Sequence, residues 1–220
     1  MKLKLTPGEL KQTHRDALAK QILGDRYISL KINKEFDIKE NFVDDTTKIC
    51  CEVGLSGPKN NSSLFVEGSG KGPVDAFFSG LSHQLSERFC SLNTLRFSEF
   101  ASNADLARTS FSPWGSDAPV ETTLVVSNNQ GNQFIFRDSS RSINKSAIGV
   151  VLKAVEHFIN SEEAVILLHD AIIDAEKRNR GDLFNSYVMQ LAELVEKTSY
   201  ADPIKRRTKK WTYEPTEYED

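Results

Sequence analysis

The chain has 220 residues, of which 39% are hydrophobic and 27% charged, and its formal net charge is −3. This composition predicts a soluble globular protein of one or two domains, and the charge balance gives no reason to expect nucleic acid or a membrane as partner. No apolar run approaches the roughly 20 residues of a membrane span, and the start MKLKLTPGELK is not a secretory signal. Three cysteines, two of them adjacent, make neither a disulfide framework nor a metal motif. We therefore expect a cytoplasmic protein without metal or cofactor.

Residues 1–40 predict a helix followed by a strand. Thr6, Pro7 and Glu9 supply an N-cap, a proline in the first turn and a capping-box acid. The helix is expected to end at Leu23, before Gly24. In the following YISLKI segment apolar and polar residues alternate, which indicates a half-buried strand.

Residues 41–160 contain one order of elements twice. The strands TKICCEVGL and SLFVEG precede a helix from Pro73 to about residue 89, and VETTLVVS and QFIFRD precede the helix AIGVVLKAVEHFI. The strand LNTLRFSEF and a long loop over 101–119 lie between them. A shift of 71 residues aligns 51–83 with 122–154 without a gap and pairs Phe65 with Phe136. The repeat predicts an α+β domain of two pseudo-symmetric βββα units whose helices pack on a shared sheet in two layers.

The last 60 residues are expected to be helical and then charged. Ser161 is a candidate N-cap followed by two acids, and Asp182 is a second one after Gly181, so residues 161–200 predict an antiparallel helical hairpin. Residues 201–220 contain KRRTKK and then EPTEYED, which indicates a loosely attached charged tail. The basic run could attract phosphate groups, so nucleic-acid binding remains an alternative, although the neighbouring acids oppose it.

The segment GSGKGPVDAFFSGL, at the start of the first repeat helix, has three interpretations. It does not match a nucleotide-binding loop, because no Lys-Ser/Thr pair opens the helix and the glycines do not follow GxGxxG. A plain turn is sufficient, with Pro73 in the first helical turn and Asp75 facing the helix dipole. In the third interpretation, Gly70 and Gly72 leave the N–H groups of the helix start open to a ligand carboxylate or another backbone.

The same segment resembles the G-x-GPVDA motif of the C-terminal regulatory domain of 2-isopropylmalate synthase, a domain that citramalate synthase carries in related form. GSDAPVETTLVV and SINKSAIGVVLKAV are similar to two other segments of that domain, G-T-D-A and D-I-x-x-A-S. The resemblance covers about residues 40–160, and the family domain consists of two βββα units. Two positions depart from the family pattern, since Ser142 replaces an Asp and Lys145 replaces an Ala.

The resemblance implies a stand-alone regulatory and dimerisation domain linked to leucine biosynthesis. It would form a homodimer, bind leucine or another branched-chain amino acid, and act through a catalytic partner protein. It assigns the effector contacts to Gly70, Gly72, Pro73, Val74, Asp75, Ala76, Gly115, Asp117, Ala118 and Ser146. The alternative is a non-catalytic interaction scaffold that keeps only the dimerising fold, and Ser142 and Lys145 favour it.

The chain is not expected to be an enzyme on its own. In the family, catalysis belongs to a separate TIM-barrel domain with an H-x-H metal motif, whereas this sequence has no H-x-H and is shorter than the roughly 250 residues of a barrel. We interpret His83 and His157 as surface histidines. Trp114, on the long loop, is either a lid over the core or an exposed contact.

Overall fold

The computed structural model describes residues 6–57, 62–104 and 118–211. Within these ranges the protein is a mixed α+β structure with two three-stranded antiparallel sheets and five α-helices. The first sheet has β1 (Ser29–Asn41), β2 (Thr46–Ser56) and β3 (Ser62–Gly70), and the second has β4 (Arg96–Ala104), β5 (Val120–Ser127) and β6 (Gln133–Ser140). The helices are α1 (Pro7–Leu23), α2 (Pro73–Leu85), α3 (Ile143–Lys177), α4 (Gly181–Val195) and α5 (Ala201–Trp211). None of the helices in the described ranges is long and apolar enough to cross a bilayer.

The first helix forms as the sequence predicts. The hydroxyl of Thr6 accepts a hydrogen bond from the amide of Glu9 at 3.3 Å, and the Glu9 carboxylate accepts one from the amide of Thr6 at 2.7 Å. Gly24 ends the helix with φ 51°, a conformation that glycine adopts readily. The strand after it is longer than YISLKI and pairs with β2 along its length. The expected boundary between residues 40 and 41 therefore runs through the first sheet.

The order strand, strand, strand, helix occurs twice, but the gapless 71-residue alignment is wrong. Val53 and Leu124, which the alignment pairs, are both fully buried. Phe65, which it pairs with Phe136, is 60% exposed, whereas Phe136 is 5% exposed. The strand registers explain the difference: six residues separate the pair Leu55 and Ser62, but five separate Ser127 and Gln133. Because side chains alternate along a strand, this one extra residue moves every later side chain to the other face.

The two sheets and the two central helices share one apolar core. Phe78 of α2 reaches the second sheet, where its ring lies 4.8 Å from that of Phe97. In the opposite direction, the side-chain amide of Asn160 on α3 accepts from the backbone amide of Ile28 and donates to its carbonyl, both at 2.8 Å. The sheets are separate rather than one shared sheet, and these crossed contacts join them.

Two helices, α3 and α4, pack against each other in the region of the expected hairpin, but neither begins where the sequence predicts. Ser161 does not start a helix, because it lies buried in the middle of α3, a single helix of 35 residues. Asp182 is not an N-cap either; it lies in the first turn of α4 and pairs with Arg180 at 2.8 Å. Residues 201–211 of the predicted tail form α5, and residues 212–220 lie outside the described residues. A second apolar cluster, which includes Leu23, Val165, Leu168, Leu194 and Tyr200, joins α1, α3 and α4.

The segment between the two units also differs from its prediction. α2 ends at Leu85, four residues before its expected end. A short 3₁₀-helix, Cys90–Thr94, replaces the start of the predicted strand, and β4 then begins at Arg96.

Candidate functional site

The glycine-rich segment brings the backbone of β3 against the backbone of α2. A Cβ atom added at Gly68 would lie 1.9 Å from the carbonyl oxygen of Ala76, and one at Gly80 would lie 2.8 Å from that of Glu67. A Cβ at Gly70 would lie 2.6 Å from the amide nitrogen of Ala76. Close contact of strand and helix therefore explains these glycines, which is the structural interpretation of the segment.

The start of α2 already has an anionic partner from its own chain. The Asp75 carboxylate accepts a hydrogen bond from the amide of Lys71 at 2.9 Å. Gly72 has φ 171°, which is extended backbone and not the left-handed conformation, and a Cβ there would meet no atom within 4 Å. Ala76 is fully buried and Val74 packs against the core, so neither lines an open floor.

The other members of the predicted effector set lie elsewhere. Gly115 and Asp117 fall outside the described residues, as does Trp114. Ala118 is buried just before β5. Ser146 is buried in the first turns of α3, where its hydroxyl bonds that of Thr122 at 2.7 Å and donates to the carbonyl of Ile143 at 3.1 Å. The described members of the predicted set are thus divided among the start of α2, the residues just before β5 and the start of α3.

A groove between β1 and the start of α3, which we call the β1–α3 groove, has a volume of about 630 Å³. One wall is apolar and comes from both elements, and the other end is polar. The apolar residues are Leu30, Ile32, Phe36 and Ile38 of β1 and Ile148 and Leu152 of α3, and the remaining lining residues are Lys31, Asp138, Ser142, Asn144, Lys145 and Gly149.

The polar end of the groove combines a helix start with both signs of charge. The Ser142 side chain caps α3 by accepting from the amide of Lys145 at 3.3 Å. Lys145 is exposed, and the Asp138 carboxylate accepts from the ammonium group of Lys153 at 2.6 Å. A carboxylate bound here would meet a cation and the positive end of a helix dipole. The sequence does not predict the groove, because its pattern places β1 outside the repeat domain; the only signal is that Ser142 and Lys145 depart from the family pattern.

A second, smaller cavity of about 280 Å³ lies between α1, β6 and α3, and the buried titratable side chains of Glu9 and His157 line it. His157 is 6% exposed, so its interpretation as a surface histidine is wrong; its Nδ1 meets the carboxylate of Asp16. Burial, and then the charges of Glu156 and Asp16, raise the pKa of Tyr27 to about 12. Burial is also the main cause that raises the pKa of Glu156.

The groups in this cavity hold the elements together. The Arg137 guanidinium donates to Glu9 at 2.7 Å, and the Glu156 carboxylate accepts from the hydroxyl of Ser29 at 3.2 Å and from the amide of Leu30. A carboxylate on Nδ1 of a histidine can orient a general base. Here, however, the charged groups are paired across α1, β6 and α3, so they serve to attach α1 to the second sheet.

Two of the cysteines, Cys51 and Cys90, are buried thiols without activation. Burial is the main cause that raises the pKa of the Cys51 thiol to about 11, and it also raises that of Cys90. A thiol must ionise to act as a nucleophile or metal ligand, so both are structural. In the part of the chain that the structure describes, no three His, Cys, Asp or Glu side chains come together as a metal site.

No protein-family model matches the chain, and no curated protein matches it either. The resemblance to the synthase regulatory domain therefore rests on the three quoted segments.

Proposed function

We propose that the chain is a stand-alone regulatory domain that binds a small aliphatic amino acid in the β1–α3 groove. The observation that carries the proposal is a single cavity of about 630 Å³ in which an apolar wall adjoins a polar end with one cation, Lys145, and one anion, Asp138. This volume lies within the range of about 300–1,000 Å³ typical of small-molecule sites. An amino acid with an aliphatic side chain has the matching chemistry.

The ligand groups have natural partners in the groove. The carboxylate would lie at the start of α3, near Lys145, because both favour negative charge there. The ammonium group would face Asp138, and the side chain would pack on Ile32 and Leu152. A branched aliphatic chain gains more from this wall than alanine does, since each buried methylene contributes about 0.8 kcal/mol.

The regulatory role and its link to leucine biosynthesis come from the resemblance. Two features of the chain support them: the order strand, strand, strand, helix occurs twice, and pairs of buried residues correspond at a shift of 71 residues before the hairpin turn and 70 after it. We propose that the two units are related by an approximate two-fold axis and that a separate catalytic protein responds to the ligand. On this view the protein is not an enzyme on its own.

Calorimetric titration with leucine, isoleucine and valine tests the ligand. We expect binding of at least one of them, and Lys145→Glu should weaken it by about tenfold or more, which corresponds to about 1.4 kcal/mol. Lys71→Glu is the matched control, because Lys71 is an exposed lysine before the start of α2. If none of the three amino acids binds, or if both variants lose affinity equally, the groove is not the site.

Gly72→Val separates the groove from the site first expected at the start of α2. The new side chain would point into open space, so the variant should fold normally. Binding in the groove predicts unchanged affinity for this variant. A loss of affinity measured in the same titration would instead place the amino acid at α2.

The scaffold alternative has one observation in its favour. Ile173 near the end of α3 and Val188 and Met189 in the middle of α4 are 38%, 39% and 75% exposed, so both helices present apolar side chains to solvent. If no amino acid raises the melting temperature of the protein, this surface becomes the leading candidate for function. Val188→Lys with Met189→Lys should then abolish association with the protein that the scaffold binds, without changing the melting temperature.

A further inference from the structure

Each three-stranded sheet has two edge strands, which are β1 and β3 in the first sheet and β4 and β6 in the second. The outer side of an edge strand carries N–H and C=O groups that another strand can bind, so soluble proteins usually block it. An edge strand that nothing blocks is therefore the place where a further strand could pair with the sheet.

Side chains from helices block two of these edges. On β6, the side-chain amide of Gln12 donates to the carbonyl of Ile135 and accepts from its amide, both at 3.1 Å, and Lys153 donates to the carbonyl of Arg137 at 2.7 Å. At the start of β1, the amide of Leu30 donates to Glu156.

Irregular pairing protects two edges as well. The register of β1 with β2 shifts between Ile32 and Phe36, and that of β4 with β5 shifts between Phe97 and Glu99. Bulges of this kind twist an edge away from a partner strand.

The edge of β3 has none of these protections. Its sequence, SSLFVEGSG, contains no lysine, arginine or proline, and its register with β2 is continuous from Ser62 to Gly70. Within the described ranges, no helix or side chain is hydrogen-bonded to its free edge. Near its centre Phe65 is 60% exposed, on the face opposite to the core.

We propose that β3 pairs with β3 of a second copy of this chain, antiparallel and centred on Phe65, so that two first sheets form one continuous six-stranded sheet. An antiparallel pair of identical strands is an isologous contact and closes as a dimer. The proposal goes beyond the ligand site, does not depend on it, and assigns a surface to the expected homodimer.

The side chains of β3 are self-complementary in this register. Phe65 of each copy would lie opposite the other, and aromatic cross-strand pairs stabilise a sheet. On the inner face Leu64 of each copy would lie opposite Val66, which extends the apolar core across the junction. Glu67, the one charged residue of β3, would lie opposite Ser63, so no like charges meet. This fit favours a second copy over an unrelated extended peptide.

Light scattering in solution tests the assembly. We expect twice the chain mass of 24.7 kDa for the wild-type protein and the single-chain mass for Phe65→Lys, because lysine on an edge opposes pairing. Met189→Lys, at another exposed apolar residue, should remain a dimer. A wild-type monomer, or a Phe65→Lys protein that remains a dimer, would overturn the proposal.

Cross-linking identifies the register even if Phe65→Lys unfolds. In a Cys50→Ser background, Phe65→Cys should form a disulfide-linked dimer under mild oxidation, since directly opposed positions have Cβ atoms about 4.5–5.5 Å apart. Ser69→Cys in the same background should not, because the two copies of that position would lie about 27 Å apart. If Phe65→Cys does not cross-link, or if both variants do so equally, β3 pairing is excluded.

Discussion

At the scale of single residues, the small side chains between helix and strand determine how the layers pack. In the first unit Gly68 and Gly80 allow β3 and α2 to touch through their backbones. In the second unit Gly149 lies against the carboxylate of Asp138, where a Cβ would come within 2.2 Å of Oδ2. Each helix therefore has a glycine where it crosses the last strand of its sheet, but only in the first unit would an added Cβ overlap backbone atoms.

We expect Gly68→Ala to destabilise the fold by about 1–3 kcal/mol or more, since an added methyl in a packed interior forces the backbone to shift. Its Cβ would overlap the carbonyl of Ala76, which belongs to a helix and cannot move aside alone. Gly72→Ala, in open space, should change the free energy of unfolding by less than about 1 kcal/mol. Urea denaturation measures both, and equal effects would refute the packing explanation.

Glu162 is a buried carboxylate in the middle of α3, and not an acid in the first turn of a helix as the sequence predicts. It is 1% exposed and accepts hydrogen bonds from the amides of Cys90 and Ser91, at 3.1 and 2.8 Å. These amides begin the 3₁₀-helix before β4, so the carboxylate connects that turn to the middle of α3.

Glu162→Ala should therefore reduce the free energy of unfolding by about 3 kcal/mol, because two buried amides lose their acceptor. Glu162→Gln should cost less, since one acceptor oxygen remains. The neighbouring Glu163 pairs with exposed Arg88 at 3.1 Å, and Glu163→Ala should cost less than about 1 kcal/mol. Chemical denaturation with matched slopes would measure all three, and a Glu162→Ala protein as stable as wild type would contradict the assignment.

At the scale of elements, α3 holds β1 through Glu156, and this contact should make stability depend on pH. Burial raises the pKa of Glu156 above its ordinary value of about 4.5. The folded state therefore binds this proton more tightly than the unfolded state does. The resulting gain in unfolding free energy is present below pH 4.5 and is lost as the pH rises through the folded-state pKa. Glutamine does not titrate, so Glu156→Gln should gain stability relative to wild type from pH 4 to pH 7. A difference in unfolding free energy that stays constant or falls would contradict the prediction.

The contacts of α1 with β6 are polar, and Gln12 completes the edge of that strand. Gln12→Ala would remove both hydrogen bonds to Ile135, and each contributes about 0.5–1.5 kcal/mol. We expect a loss of about 1–3 kcal/mol and faster deuterium exchange at the amide of Ile135. Gln21→Ala, at an exposed position on the same helix, should leave both unchanged. Unaltered exchange at Ile135 in Gln12→Ala would show that the edge is covered in another way.

At the scale of the whole molecule, local signals in the sequence predicted elements well and their connections poorly. Thr6 and Glu9 are only three positions apart and form a capping box, so the sequence predicts both ends of α1 correctly. The one-residue difference between the hairpin turns cannot be seen in a weak repeat, and the sequence alignment therefore pairs exposed Phe65 with buried Phe136. Ser161 has the sequence context of an N-cap, but tertiary packing continues α3 through it. The β1–α3 groove depends on contacts between residues more than 100 positions apart, which no local pattern encodes.

Because α3 belongs to both apolar clusters, we expect the described fold to unfold as one unit rather than as domains divided at residue 160. A chain that ends at Asn160 loses Glu162 and the half of α3 that packs against α1, so it should show no cooperative transition. A chain that ends at Tyr200 retains every buried residue of both clusters and loses only Ile204 of α5, which packs against the second cluster. This chain should still unfold cooperatively. Circular dichroism during thermal unfolding distinguishes these outcomes. If the chain ending at Asn160 melted in a sharp transition, the sheets and central helices would be an independent domain, and α3 would only extend from it.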